Sequence, residues 1–239
     1  MKYLLVFPIA LVAGSAFGQQ IEFSGRASAT AANFRGESAV TSSYVQGGSA
    51  ATGAKSYTQN PYGKDTGIGF GAGIRAQRVA KTGFLTALDL GYDFLHTKTD
   101  ILYVNTNSTV VNNTYSASGT THLYTQYATG FIGAGWRAKG QTLSLDGLVG
   151  PELAYVLRAL DYGSGTQTNG VTYSVDTNRT PANSADFRLR ADATVWATHL
   201  GLAVSYSYGL TNYYPANNIT TNPQAYSNAL RLGLAYRLK

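Results

Sequence analysis

Phe84-Leu85-Thr86-Ala87-Leu88-Asp89-Leu90-Gly91-Tyr92-Asp93-Phe94-Leu95 divides into two rows of opposite character. Side chains of a strand point alternately to its two faces. One row reads Phe84, Thr86, Leu88, Leu90, Tyr92, Phe94; the other reads Leu85, Ala87, Asp89, Gly91, Asp93, Leu95. The same division recurs downstream. In 225–238, Leu230, Leu232, Leu234, Tyr236 and Leu238 oppose Ala229, Arg231, Gly233, Ala235 and Arg237. In 186–197, Phe187, Leu189, Ala191, Ala193 and Val195 oppose Asp186, Arg188, Arg190, Asp192, Thr194 and Trp196. In 142–158, Leu143, Leu145, Val149, Leu153, Tyr155 and Leu157 oppose Ser144, Asp146, Glu152 and Arg158.

Working outward from these stretches, the pattern predicts eight strands, at 20–32, 68–80, 84–96, 127–139, 142–158, 185–197, 200–211 and 225–238. Short turns join the second to the third (Lys81-Thr82-Gly83), the fourth to the fifth (Gly140-Gln141) and the sixth to the seventh (Thr198-His199). Polar segments 33–67, 97–126, 159–184 and 212–224 make the other connections, so all long loops lie at one end. Pro61, Pro181, Pro215 and Pro223 fall in those loops, in keeping with the ladder donor that proline lacks. Turn length sets register. Pairing Ala80 with Phe84 puts Arg75 opposite Asp89, and pairing Ala197 with Leu200 puts Trp196 opposite Gly201 and Asp192 opposite Ser205. A two-residue turn with positive φ at Gly140 pairs Lys139 with Thr142 and puts Trp136 opposite Leu145. Around Phe131 and Ile132 either phase reads equally well.

An eight-stranded barrel in water turns its apolar face inward. This composition favours the reverse. The 239 residues are 13% charged, against about 25% in a soluble domain, yet 44% apolar with 27 Gly and no Cys. The polar rows carry Arg and Asp among Gly, Ala and Ser, not the Lys and Glu of a solvated surface. Arg suits confined, bidentate pairing. Seven acids fall on the polar rows: Glu22, Asp89, Asp93, Asp146, Glu152, Asp186 and Asp192. Eight bases join them: Arg26, Arg75, Arg137, Arg158, Arg188, Arg190, Arg231 and Arg237. The apolar rows carry one charge, Arg78, near a short turn where snorkelling is cheap. These residues are expected to form a charge network that fills a narrow lumen. The fold class is an all-β, eight-stranded antiparallel up-and-down transmembrane barrel. Tyr92, Tyr155, Tyr206, Tyr208, Tyr213, Tyr214 and Tyr226 are expected in the outer aromatic girdle.

Met1-Lys2, the apolar run to Gly14, and Ser15-Ala16-Phe17-Gly18 have the form of a secretory signal peptide. The expected division is a signal at 1–18 and a barrel domain at 19–239.

Gly150-Pro151-Glu152-Leu153-Ala154-Tyr155-Val156-Leu157-Arg158-Ala159 resembles a strand of the PorT-like outer-membrane β-barrel family. Leu200 to Asn212 resembles its Gly-Leu-Thr-Asn segment, and Gly69 to Tyr92 matches its second hairpin in texture. The resemblance implies a Bacteroidota-type outer-membrane barrel, similar in architecture to small OmpA- or OmpX-like barrels. Glu152 departs from the pattern, standing where an aromatic is common, and the loops are longer. That family is functionally mixed, so the resemblance implies no particular activity.

Chemistry is sparse. Three histidines are present: His96 and His122 near the outer rim on neighbouring strands, and His199 in a periplasmic turn. A rim histidine with a hydroxyl and a carboxylate would suit lipid acyl chemistry; His96, His122 and Asp100 would be a thin metal set. No phosphate loop, zinc motif or dinucleotide fingerprint is present, and the arginines lie in the lumen phase, which argues against nucleic acid. The expected function is a non-enzymatic barrel of the bacterial outer membrane without cofactor or metal. It would act as a surface scaffold or adhesion protein, or as an accessory subunit of an envelope complex. Its expected partners are outer-membrane lipid and envelope proteins or surface ligands, the latter two met by the four loops. A lipid-modifying enzyme and a narrow channel are the alternatives.

Overall fold

The computed structural model describes residues 20–48, 55–107, 112–181, 183–214 and 223–238; the segment 1–18, expected to be a signal, lies outside them. Eleven strands follow in chain order: β1 (Gln20–Arg35), β2 (Ser42–Gly47), β3 (Tyr57–Thr58), β4 (Asp65–Val79), β5 (Phe84–Asn107), β6 (Asn112–Lys139), β7 (Leu143–Gln167), β8 (Thr172–Arg179), β9 (Ala185–Ala197), β10 (Leu200–Gly209) and β11 (Tyr226–Leu238). Eight of them close a ring in the order β1-β4-β5-β6-β7-β9-β10-β11, and β11 pairs antiparallel with β1. Closure leaves no open edge, which lipid demands.

The expected faces are the observed ones over most of the ring. Leu90, Ile132, Leu153, Leu189, Leu202 and Leu232 are all at least 41% exposed, and Ile68 reaches 72%. The rows between them are buried and polar. A surface this apolar around an interior this charged is that of a barrel in lipid. The chain is therefore a transmembrane β-barrel. Phe131 is buried and Ile132 exposed, which fixes the phase that the sequence leaves open. Aromatic residues mark both rims: Phe84 against Trp136 at the short-turn end, and the stack Phe70–Phe94–Tyr124 at the other.

Two of the three predicted turns are observed. Arg75 pairs with Asp89, Trp196 with Gly201 and Asp192 with Ser205. Gly83 takes a φ of 90° to close the first turn, and Thr198 one of 59° to close the last. The middle turn differs. Gly140 N–H donates to the Leu143 carbonyl, so Gln141-Thr142 is the two-residue loop and Gly140 needs no positive φ. Register moves by two, setting Trp136 opposite Gly147 rather than Leu145. An even shift keeps every face, so alternation alone could not detect it.

The long connections are less loop-like than expected. Much of 97–126 belongs to β5 and β6, which continue as a ladder beyond the apolar belt. In the same way 159–167 extends β7, and β8 pairs with that extension. Segment 33–67 supplies β2, which joins the extended β5 in parallel, and β3. The resulting sheet β3-β2-β5-β6-β7-β8 curls until its two edges meet. There Thr177 Oγ1 donates to the Ser56 carbonyl at 2.8 Å. Val45, Ile101, Val104, Tyr173 and Val175 form its own core. The barrel thus carries a folded β cap.

Candidate functional site

The lumen is built from inward side chains of all eight ring strands, in three tiers. At the short-turn end, Arg137 on β6 is held bidentately by Glu22 (2.7 and 2.8 Å) and by Asp146 (2.6 and 2.7 Å). Asp146 also accepts from Gln77 and from the Trp196 indole. Arg237 lies 3.1 Å from Glu22 and 4.2 Å over the Trp196 ring. In the middle tier, Arg75 spans two carboxylates, Asp89 at 2.6 and 2.7 Å and Asp192 at 3.0 Å. Arg26 and Arg190 donate to the other oxygen of Asp192. In the outer tier, Arg231 binds Asp93 at 2.6 Å and Glu152 at 3.1 Å. Arg188 binds Asp186 at 2.7 Å and lies over the Tyr127 ring.

Arg158 is the exception. At Leu157 a bulge inserts one residue into β7, so Gln126 pairs with Arg158 while Tyr127 pairs with Val156. The extra residue turns Arg158 to the outside, where its Nε meets the Asn178 side chain at 3.4 Å. The lumen therefore holds seven carboxylates against seven guanidinium groups: Arg26, Arg75, Arg137, Arg188, Arg190, Arg231 and Arg237. Its charge balances, as a low-dielectric interior requires. Bordered by Arg26, Asp89, Arg190 and Arg231 is a void of about 60 Å³, room for a few waters.

An aromatic layer closes the outer end. Tyr213, predicted at the lipid girdle, is instead 2% exposed and donates its hydroxyl to Asp186 at 2.9 Å. Its ring packs edge-on against Phe34 and Tyr62, and Tyr62 against Tyr214. The reason is local. Asn60 Oδ1 accepts from Tyr62 N–H and Asn212 Oδ1 from Tyr214 N–H, two Asx turns that bend the loops inward. Asn212 also donates to the Pro223 carbonyl and accepts from Ala225 N–H, which ties its loop back to the barrel. The repeated Asn-x-Tyr at 60–62 and 212–214 was the available signal for this layer.

Above it, Asp161 is fully buried and clasps the cap. Its carboxylate accepts from Thr58 N–H and Oγ1, both at 2.9 Å, and from Arg179 at 2.8 Å. Arg179 also donates to the Thr58 carbonyl. Between clasp and aromatic layer lies a half-open cavity of about 380 Å³.

His96 and His122 do come together, ring centroids 5.5 Å apart, on the outward face just beyond the aromatic rim. His96 Nδ1 is 2.7 Å from the Ile68 carbonyl. Burial, then the nearby His96 and Lys98, holds the His122 pKa below the ordinary imidazole value. Asp100 pairs with Lys98 at 3.9 Å rather than with either ring. Among the described residues no three His, Cys, Asp or Glu side chains are grouped to hold a metal. His199 stands edge-on to Tyr236 at the opposite end.

No family model and no curated protein matches this chain. Among solved structures it is similar to Ail, the attachment invasion locus protein of Yersinia pestis, crystallised with the heparin analogue sucrose octasulfate. Identity there is 13%, over 92% of this chain and 99% of that one, with a TM-score of 0.33. It is also similar to Neisserial surface protein A, at 15% identity over 92% and 99%, with a TM-score of 0.37. Identity this low transfers no residue role to this chain.

Proposed function

We propose that this chain is a sealed, non-catalytic barrel of the bacterial outer membrane that holds a rigid β platform outside the cell. The supporting observation is the combination of a filled lumen with a cap that has its own core. Ion pairs occupy the bore tier by tier, and an aromatic layer lies over them. Among the described residues, much of the chain beyond the belt is ordered strand. Such a molecule suits adhesion, scaffolding or attachment to other envelope proteins. The expected leader at 1–18 would suit export, and the resemblance of segments 150–159 and 200–212 to PorT-like barrels is in keeping with this reading. The histidine pair at the rim lacks a carboxylate partner among the described residues, so it adds no support to acyl chemistry.

Whole-cell labelling tests the platform. The chain has no Cys, so Thr168→Cys, in the exposed β7–β8 turn, is a unique thiol. On intact cells it is expected to react with a membrane-impermeant maleimide, whereas His199→Cys is expected to react only after lysis. The reverse pattern would overturn the orientation.

A further inference from the structure

The half-open cavity at the mouth is assembled from five separate segments, one of them Ala159 of β7. Gln59 to Tyr62 comes from the β3–β4 connection, Leu123 and Thr125 from β6, Arg179 to Pro181 from the end of β8, and Tyr213-Tyr214 from the last loop. At about 380 Å³ it falls in the range of small-molecule sites. Both Asx turns described above serve it, since each places a tyrosine in its wall. The walls offer apolar surface from Tyr214, Pro61 and Pro181, whereas the Tyr62 ring is taken up by Phe34, Tyr213 and Tyr214. The edges offer neutral polar groups, from Gln59 and Thr180.

Its one cation is already answered. Arg179 gives Nε and Nη2 to Asp161 and the Thr58 carbonyl, while Nη1 has no hydrogen-bond partner among the described residues. Arg179 therefore brings donor hydrogens to the cavity, with its charge neutralised by Asp161. Arg179, Tyr62 and Tyr214 all line the cavity, so the three groups lie in one neighbourhood. Flat CH-accepting faces, peripheral hydrogen-bonding groups and no net charge together match one ligand chemistry. A pyranose ring has apolar CH faces and a hydroxylated edge. A quaternary ammonium would meet Arg179, and its aromatic cage is lacking because Tyr62 packs at 5.7 Å on Tyr213 and 5.0 Å on Tyr214. A polyanion would find a single guanidinium that Asp161 has taken.

We infer that this cavity is a binding site for a neutral sugar ring, such as the terminal residue of a surface glycan. This rests on the proposal that the cap faces outward, since only there would such a glycan reach it.

Saturation-transfer NMR on the purified barrel tests it, in a zwitterionic detergent that carries no sugar. The probes are the methyl glycosides of glucose, galactose, mannose and N-acetylglucosamine, with glucuronate as the acidic control. The expected result is transfer to the ring CH protons of at least one neutral glycoside. Tyr214→Ala, which removes one stacking face, should weaken binding roughly tenfold or more. Thr180→Trp, which fills the cavity from an exposed position, should abolish it. Retention of the compact, heat-modifiable band in gels shows that each variant is folded. Three results would overturn the inference: no transfer to any neutral glycoside, transfer unchanged in Thr180→Trp, or preference for glucuronate. The Thr168→Cys labelling keeps the two readings apart. Surface labelling without transfer defeats the sugar site alone; transfer without surface labelling defeats the platform.

Discussion

Arg75 and Arg158 carry the same charge on strands of the same barrel, yet their consequences differ. Arg75 is 2% exposed and spans Asp89 and Asp192. Removing it takes from Asp89 its bidentate partner, leaving only the longer contacts to Arg26 and Arg190, so Arg75→Ala is expected to cost about 3 kcal/mol in denaturant unfolding from lipid vesicles. The double variant Arg75→Met with Asp89→Leu should recover much of that, because Asp192 keeps Arg26 and Arg190. Arg158→Ala should stay within about 0.5 kcal/mol of wild type, as expected for an exposed side chain. If Arg158→Ala were the costlier of the two, the bulge at Leu157 would be misplaced. The sequence placed Arg75 opposite Asp89 because a three-residue turn with Gly83 leaves one register. It misplaced Arg158 because a bulge is an insertion in the ladder that carries no residue signature here. Leu157 and Arg158 alternate as well as any pair before them. Tyr213 and Tyr214 were misread for a related reason, since strand-end tyrosines and mouth tyrosines look alike until Asn212 is seen to bend the chain.

Elements show where alternation stops being informative. Period-two patterning locates the eight ring strands, since lipid and lumen impose opposite demands on alternate residues. Beyond the belt both faces of β5, β6 and β7 meet water or one another, the contrast fades, and Thr- and Asn-rich strand reads as loop. The parallel partner β2 is still harder to foresee, because nothing local announces a strand that pairs with residues more than fifty positions away. Close approach of β6 and β7 is equally silent. A Cβ on Gly150 would collide with the Ile132 carbonyl oxygen. Gly150→Ala is accordingly expected to destabilise the barrel by about 1–3 kcal/mol, checked in the same unfolding assay. Asp161 gathers most of the side-chain hydrogen bonds at the cap's seam, beside the bond from Thr177 to Ser56. Asp161→Ala removes the acceptor of Thr58 and Arg179 together. It should open the cap to limited proteolysis near β3 while the protected barrel fragment stays intact. Equal resistance in variant and wild type would show that the Val45–Val175 core holds the cap unaided.

The whole molecule is a bore closed by matched charge beneath a folded superstructure. In planar bilayers it is expected to pass no steady single-channel current; open channels of uniform size would contradict the filled lumen. Alkali should act first at the mouth. Burial pushes the Tyr62 phenol up to about 12 from 10.0. The native state therefore holds that proton where the unfolded chain releases it, and the associated stability is present below pH 10 and lost as pH rises towards 12. Phenolate absorbance and proteolysis of the cap, followed together through that range, should change before the barrel's own band does. The parallel pairing of β2 with the far end of β5 bears on the order of assembly. A hairpin can zip from its turn, but β2 has no landing place until the far end of β5 is formed. Contacts so distant in sequence are the slow ones to form. On the proposed orientation, the ring is expected to be the template and the cap the late addition, completed on the far side of the bilayer. There its polar backbone never has to pass through hydrocarbon in its finished shape.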